Sequence, residues 1–195
     1  MRHAKEPTYS FVILTFVLIL IDIALAYISV KFIPAYGGIS LFFIAVAFMI
    51  LFTLWFGAYG AAAAYFGTLI GSGLLASDSL YQHPEIAVVW AVAGLLQVLI
   101  PLAATRLLDV DLTLQNMRDW TIILLFGVLI NNLVGASWGA FTLSLLPGST
   151  MNITGAFSTW LVGNIVVTIL IVPLALRFLS EKVKKSKLFV RKYWD

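Results

Sequence analysis

Cysteine is missing altogether from the 195-residue chain. Its absence excludes disulfides, thiolate metal ligation and cysteine nucleophiles. Charge is nearly as scarce, at 11% of residues against 62% hydrophobic. A soluble domain carries roughly 25% charged residues to cover its surface. With a mean hydropathy of +1.02, the chain reads as an integral membrane protein. Histidine is limited to His3 and His83, both outside the apolar runs. No H-E-x-x-H and no P-loop occur, and no serine has a His–Asp partner set. Neither a metal site, a cofactor nor an enzymatic activity is expected. Rows of arginine that would make a voltage sensor are also lacking, and the basic tail carries no nucleic-acid motif.

What is present is a series of apolar runs broken by short polar or Gly/Pro segments. The predicted fold is all-α, one domain of six transmembrane helices over about 9–32, 39–56, 58–75, 86–107, 120–146 and 157–179, followed by a basic tail, 180–195. Each run is near the ~20 residues a bilayer needs. The first run is too long for a signal-peptide core, so it is expected to be retained. Pro34, Gly37 and Gly38 make the first turn, and only Gly57–Gly60 separates the second span from the third. Seven of the twelve Lys and Arg residues follow Leu176; Arg2 and Lys5 precede the first span, and Arg106 and Arg118 flank the fourth loop. With six spans these fall on one side, leaving Lys31 alone on the other. Basic residues concentrate on the cytoplasmic side, so both termini are expected there, in a multi-pass protein of the cell membrane. The basic cluster itself is a topology signal and also suits docking on anionic lipid or a protein partner. Asn152-Ile153-Thr154 fits a glycosylation sequon, a three-residue match that chance readily supplies.

Helices in lipid pack through small residues and interhelical hydrogen bonds. Two stripes of small residues stand out. Gly60, Ala63, Gly67 and Gly71 lie in the third span; Gly127, Asn131, Gly135 and Gly139 lie in the fifth at intervals of four. Such spacing puts residues on one helix face, so Asn131 is expected inside a glycine groove, with Asn132 turned about 100° away. Gln97 comes from the fourth span, and Asn164 with Thr168 from the sixth; Trp138 and Trp160 lie near the outer ends of their spans. Together these six form a candidate site of amides, a hydroxyl and indoles, suited to a small neutral or aromatic ligand. The same groups also serve as packing glue and interface anchors. Pro101 and Pro173 read as late-helix kinks. Asp22 is the single acid deep in a span. Intramembrane acids are costly and mark functional positions by default. The plainer expectation is a neutral acid hydrogen-bonded to another helix; the alternative is a proton-coupling group facing a watery cavity.

The run TWLVGNIVVTILIVPLAL (159–176) resembles the final helix of the MASE1 family, which has an aromatic lead-in, then Gly-Asp, then Pro-Leu nine residues after the Asp. Asn164 stands where that family has Asp, and Pro173 keeps the spacing. AGLLQVLIPLAATRLL, with Gln97 and Arg106, resembles its middle helix. Arg118-Asp119 resembles the Arg-Asp pair ending its next loop, and Gly57 and Gly67 echo an early G-x9-G. The resemblance covers roughly 43–176. It implies a membrane sensory module of the kind that precedes bacterial histidine kinases and cyclic-di-GMP enzymes. Without an output domain of its own, such a module is expected to report to a separate cytoplasmic or membrane protein. The short glycine-rich layout is also similar, more distantly, to vitamin-capturing S components of energy-coupling factor transporters. Their usual A-x-x-x-A docking pattern is not what Ala24, Ala26 and Ser29 provide. A purely structural scaffold is the third expectation.

Overall fold

The computed structural model describes residues 9–35 and 39–194. Among these residues regular structure is all helical, with one isolated bridge between Pro34 and Ser40. The helices are α1 (Tyr9–Phe32), α2 (Ala45–Phe56), α3 (Ala58–Gly67), α4 (Asp78–Gln82), α5 (Pro84–Trp90), α6 (Val92–Leu107), α7 (Met117–Leu124), α8 (Asn131–Ser144) and α9 (Ile153–Lys184). Two wide π-helical segments extend them. Thr68–Leu74 prolongs α3, and Leu125–Ile130 joins α7 to α8. Four helical stretches are long and apolar enough to cross a membrane: Tyr9–Phe32, Pro84–Leu107, Met117–Ser144 and Ile153–Lys184.

The expected span 39–56 differs from the structure at its start. Helix begins only at Ala45 and runs for 12 residues, well short of the ~20 a bilayer needs. Residues 39–44 form an irregular lead-in whose polar groups are met by serine. Ser40 Oγ donates to the carbonyls of Ser29 (2.8 Å) and Ile33 (3.1 Å), and Ile44 N donates to Ser29 Oγ (3.1 Å). Non-helical backbone at membrane depth is tolerated only where protein buries and satisfies it. Ser29 and Ser40 are both buried. The lead-in lies against Gly163 of α9, where any side chain would run into the Leu41 carbonyl. Gly37 and Gly38, expected in the preceding turn, lie outside the described residues.

Close helix approaches occur where glycine removes a side chain. Gly57 turns the chain from α2 into α3 with φ of 61°, a backbone region open to glycine. A Cβ at Gly60 would stand 2.5 Å from the Phe52 carbonyl oxygen, so α3 folds directly back on α2. Gly67 meets Asp22 of α1, and Gly71 meets Ile23 and Ala26. Ala63 is fully buried. Gly135 meets Gln97 of α6, and Gly139 meets the Trp160 ring of α9. Gly127 makes only ordinary contacts, 3.7 Å or more away. It lies inside the wide segment Leu125–Ile130, which changes the number of residues per turn and so breaks the phase of the stripe. α1 is the most outward-facing of the four long helices, with 22% of its apolar window buried against 50% for Pro84–Leu107.

The basic tail does not hang free. Val190 N donates to the Trp55 carbonyl (3.0 Å), and Ala58 N donates to the Tyr193 carbonyl (2.7 Å). Arg106 donates through Nε to Lys192 O (2.8 Å) and through Nη2 to Leu54 O (2.8 Å) and Val190 O (3.0 Å). Val190 is completely buried. The Phe11 ring of α1 stacks on Tyr59 at 4.7 Å, so the start of α1 and the tail lie at the same end of the bundle. Arg2, Lys5 and His3 lie outside the described residues.

Candidate functional site

At the opposite end of the bundle a cavity of about 810 Å³ opens between the lead-in 39–43, the α3–α5 connection, the 146–151 turn and the long helices. Its exposed rim carries charge and polarity: Lys31, Asp78, Gln82 and Ser149. Its buried walls carry Thr68, Trp90, Gln97, Trp160 and Asn164. Gly94 of α6 also lines it; a Cβ there would stand 2.9 Å from Met49 Cε.

Gln97 is both wall and stitch. Its Nε2 donates to Asn132 Oδ1 (2.8 Å). Asn132 Nδ2 donates to Thr168 Oγ1 (2.9 Å) and to the Val128 carbonyl (2.8 Å). Thr168 Oγ1 donates to the Asn164 carbonyl (2.7 Å). α6, α8 and α9 are thereby tied together by one buried amide–amide–hydroxyl chain. Thr168 belongs to this chain and does not line the cavity.

Asn164 is different. Its side chain is 1% exposed and makes no hydrogen bond among the described residues, leaving Nδ2 buried without a partner. Trp90 and Trp160 stand beside it in the cavity wall, ring centroids 5.9 Å apart at 59°. The indole N–H of each is also without a partner among the described residues. Buried polar groups in folded proteins are nearly always hydrogen-bonded, so three unmatched donors on residues of one cavity wall make this cavity the candidate site.

The six expected site residues therefore separate. Gln97, Trp160 and Asn164 come together at the cavity. Asn131 does not join them: it is fully buried, its amide has no hydrogen-bond partner among the described residues, and it does not line the cavity. Asn132, expected to turn away, makes the interhelical bonds instead. α8 packs on both α6 and α9, so two faces 100° apart are both interior. Trp138 is half-buried and donates through Nε1 to Val89 O (2.8 Å), fastening α8 to α5 away from the cavity. Trp90 went unnoticed in the sequence, although Trp90, Gly94 and Gln97 fall at i, i+4 and i+7 on one helix face. Asp22 is fully buried against Gly67, and among the described residues neither carboxyl oxygen has a hydrogen-bond partner, so the expected bond to another helix is not made there. Among the described residues no three His, Cys, Asp or Glu side chains converge to hold a metal.

The model of the MASE1 family matches residues 12–188. The chain belongs to the MASE1 family. MASE1 domains are membrane-associated sensory domains. No curated protein and no solved structure matches the chain, and the likeness to transporter S components finds no counterpart in these comparisons. The MASE1 motif residues fall at both ends of the bundle. Gln97 and Asn164 are at the cavity, while Gly57 and Arg106 hold the tail. Arg118 lies 3.8 Å from Asp119, which is buried and accepts from Asn116 Nδ2 (3.1 Å).

Proposed function

We propose that this MASE1 domain recognises a small molecule in the cavity and passes its occupancy along α9 to a protein partner. The observation that carries this reading is Asn164, a buried amide with no hydrogen-bond partner among the described residues, in the wall of an 810 Å³ cavity. Small-molecule sites commonly occupy ~300–1,000 Å³ and combine apolar walls with a few placed polar groups. α9 supports the transmission step. Its 32 residues carry Trp160 and Asn164 near one end and Lys184 at the other, a length of about 48 Å against a hydrocarbon core of ~30 Å. A ligand shifts such a helix only if it binds one arrangement better than another. Gln97, Asn132 and Thr168 then serve mainly to hold the bundle around the site.

The reading includes a topology. Six crossings of the cell membrane place both termini on the cytoplasmic side and the cavity outside. The two remaining crossings are α2 with its lead-in and α3 with its wide extension. The concentration of Lys and Arg in the tail supports this orientation.

The test is native mass spectrometry of the protein gently extracted from its own host's membranes. A discrete small molecule retained by the wild type and lost in Asn164→Leu is the expected result. A bare chain in every preparation, with unchanged signalling by Asn164→Leu, sinks the ligand reading.

A further inference from the structure

We infer that the molecule taken by the cavity is a neutral planar ring carrying a hydrogen-bond donor next to an acceptor, as in a carboxamide or lactam edge. This rests on the cavity being a ligand site and specifies the chemistry of its occupant.

Charge is the first constraint. Among the described residues, the charged ones that line the cavity, Lys31 and Asp78, sit at its exposed rim, and no Lys, Arg, Asp or Glu lines the buried walls. An ion carried to the level of Asn164 would lose its hydration without meeting a counter-charge, which is strongly unfavourable. Shape is the second. Trp90 and Trp160 are each at most 8% exposed, and their rings meet at 59°. They form an angled pair of flat apolar surfaces, and aromatic rings pack on such surfaces by offset stacking or edge contact. The third constraint is the edge. A primary amide presents one acceptor and two donor hydrogens in a single plane. Among the described residues Asn164 uses neither side, and Gln97 uses only its Nε2. A ligand edge that places a donor beside an acceptor satisfies the Asn164 amide on both sides at once. Asn does the same when it pairs with the edge of adenine. A ligand without such an edge would leave these groups unmatched, at a cost in affinity.

The inference is tested in two steps on the full chain. The molecule released from wild-type protein is first characterised by accurate mass, charge and ultraviolet spectrum. The protein stripped of it is then titrated by intrinsic tryptophan fluorescence with three probes: nicotinamide, its charged relative nicotinate, and cyclohexanecarboxamide, which keeps the amide and lacks the flat ring. The expected result is a neutral, ultraviolet-absorbing species, with nicotinamide binding at least tenfold more tightly than either other probe. Trp90→Phe should retain the native molecule and Trp90→Leu lose it, with both variants checked for cooperative unfolding. A charged or saturated molecule that is retained by wild type and lost in Asn164→Leu overturns the chemical class and leaves the site standing. Equal binding of the three probes overturns the class as well. An empty protein that responds to no probe overturns the site itself.

Discussion

The two ends of the bundle differ in how their polar groups are used. At the tail end, Arg106 alone takes up three carbonyls, and the backbone of Val190 and Tyr193 bonds to the α2–α3 junction. At the cavity end, Asn164, Trp90 and Trp160 keep buried donors with no partner among the described residues. On the proposed function the matched groups hold the fold and the open donors of the cavity wall are kept at a cost for a ligand; Asp22, Thr53, Asp119 and Asn131 also keep buried unmatched atoms away from the cavity.

The largest effect that would break this contrast is steric. Gly163→Val drives a side chain into the lead-in carbonyl at Leu41. Because backbone cannot give way as a flexible side chain can, little folded protein is expected, read as loss of the monodisperse peak in detergent chromatography. Next comes the tail end. Arg106→Ala strips a cation from the carbonyls of Leu54, Val190 and Lys192. A loss of about 2–3 kcal/mol is expected, together with rapid proteolysis of the segment after Lys184; a tail that stays protected would contradict the docked arrangement.

Asn164→Leu at the cavity end should move the other way. Replacing an unpartnered buried amide with an apolar side chain of similar size is expected to raise stability by about 1 kcal/mol. The measurement is thermal unfolding of ligand-free protein; a clear loss of stability would mean that Asn164 holds the fold rather than the ligand.

The smallest effect sharpens the tail end. Asp111 lies in the α6–α7 loop and is partly buried. Burial alone would raise its pKa. Hydrogen bonds from Lys184 and from the Thr113 N–H and hydroxyl, with the Lys184 charge, instead lower it from 3.8 to about 2. Because the folded value lies below the unfolded one, the stabilisation is complete above about pH 4 and is lost as pH falls through about 2. The side chains are 33% and 44% exposed, so solvent screening keeps the pair to about 0.5 kcal/mol. Lys184→Ala should flatten the acid limb of the stability curve by that amount without altering the neutral plateau by more.

The sequence pattern disclosed the helices wherever an apolar run was uninterrupted. α1 is such a run, with no Gly or Pro until Pro34, and the glycines at 67, 71, 135 and 139 could be read as close-approach positions. It misjudged the places where helical geometry is not uniform. The wide segment Leu125–Ile130 precedes the Asn131–Asn132 pair, and an even 3.6-residue period cannot anticipate it. Residues 39–44 read as helix because they are apolar. They are irregular because Ser29 and Ser40, eleven residues apart, bond to each other's surroundings. Trp90 was legible at i+7 from Gln97, yet nothing local says that Trp160 comes to stand beside it.

Composition and hydropathy by themselves determined a helical membrane protein, because a chain so poor in charge cannot clothe a soluble surface and a backbone in lipid must satisfy itself. Motif order by itself pointed to the MASE1 family. Only the tertiary structure decided which asparagine stitches the helices, which one is left open to the cavity, and that the basic tail folds under the bundle. Each of these depends on partners distant in the chain, 35 residues for Gln97 and Asn132 and 84 for Arg106 and Val190. Local propensity carries no information about contacts at that separation.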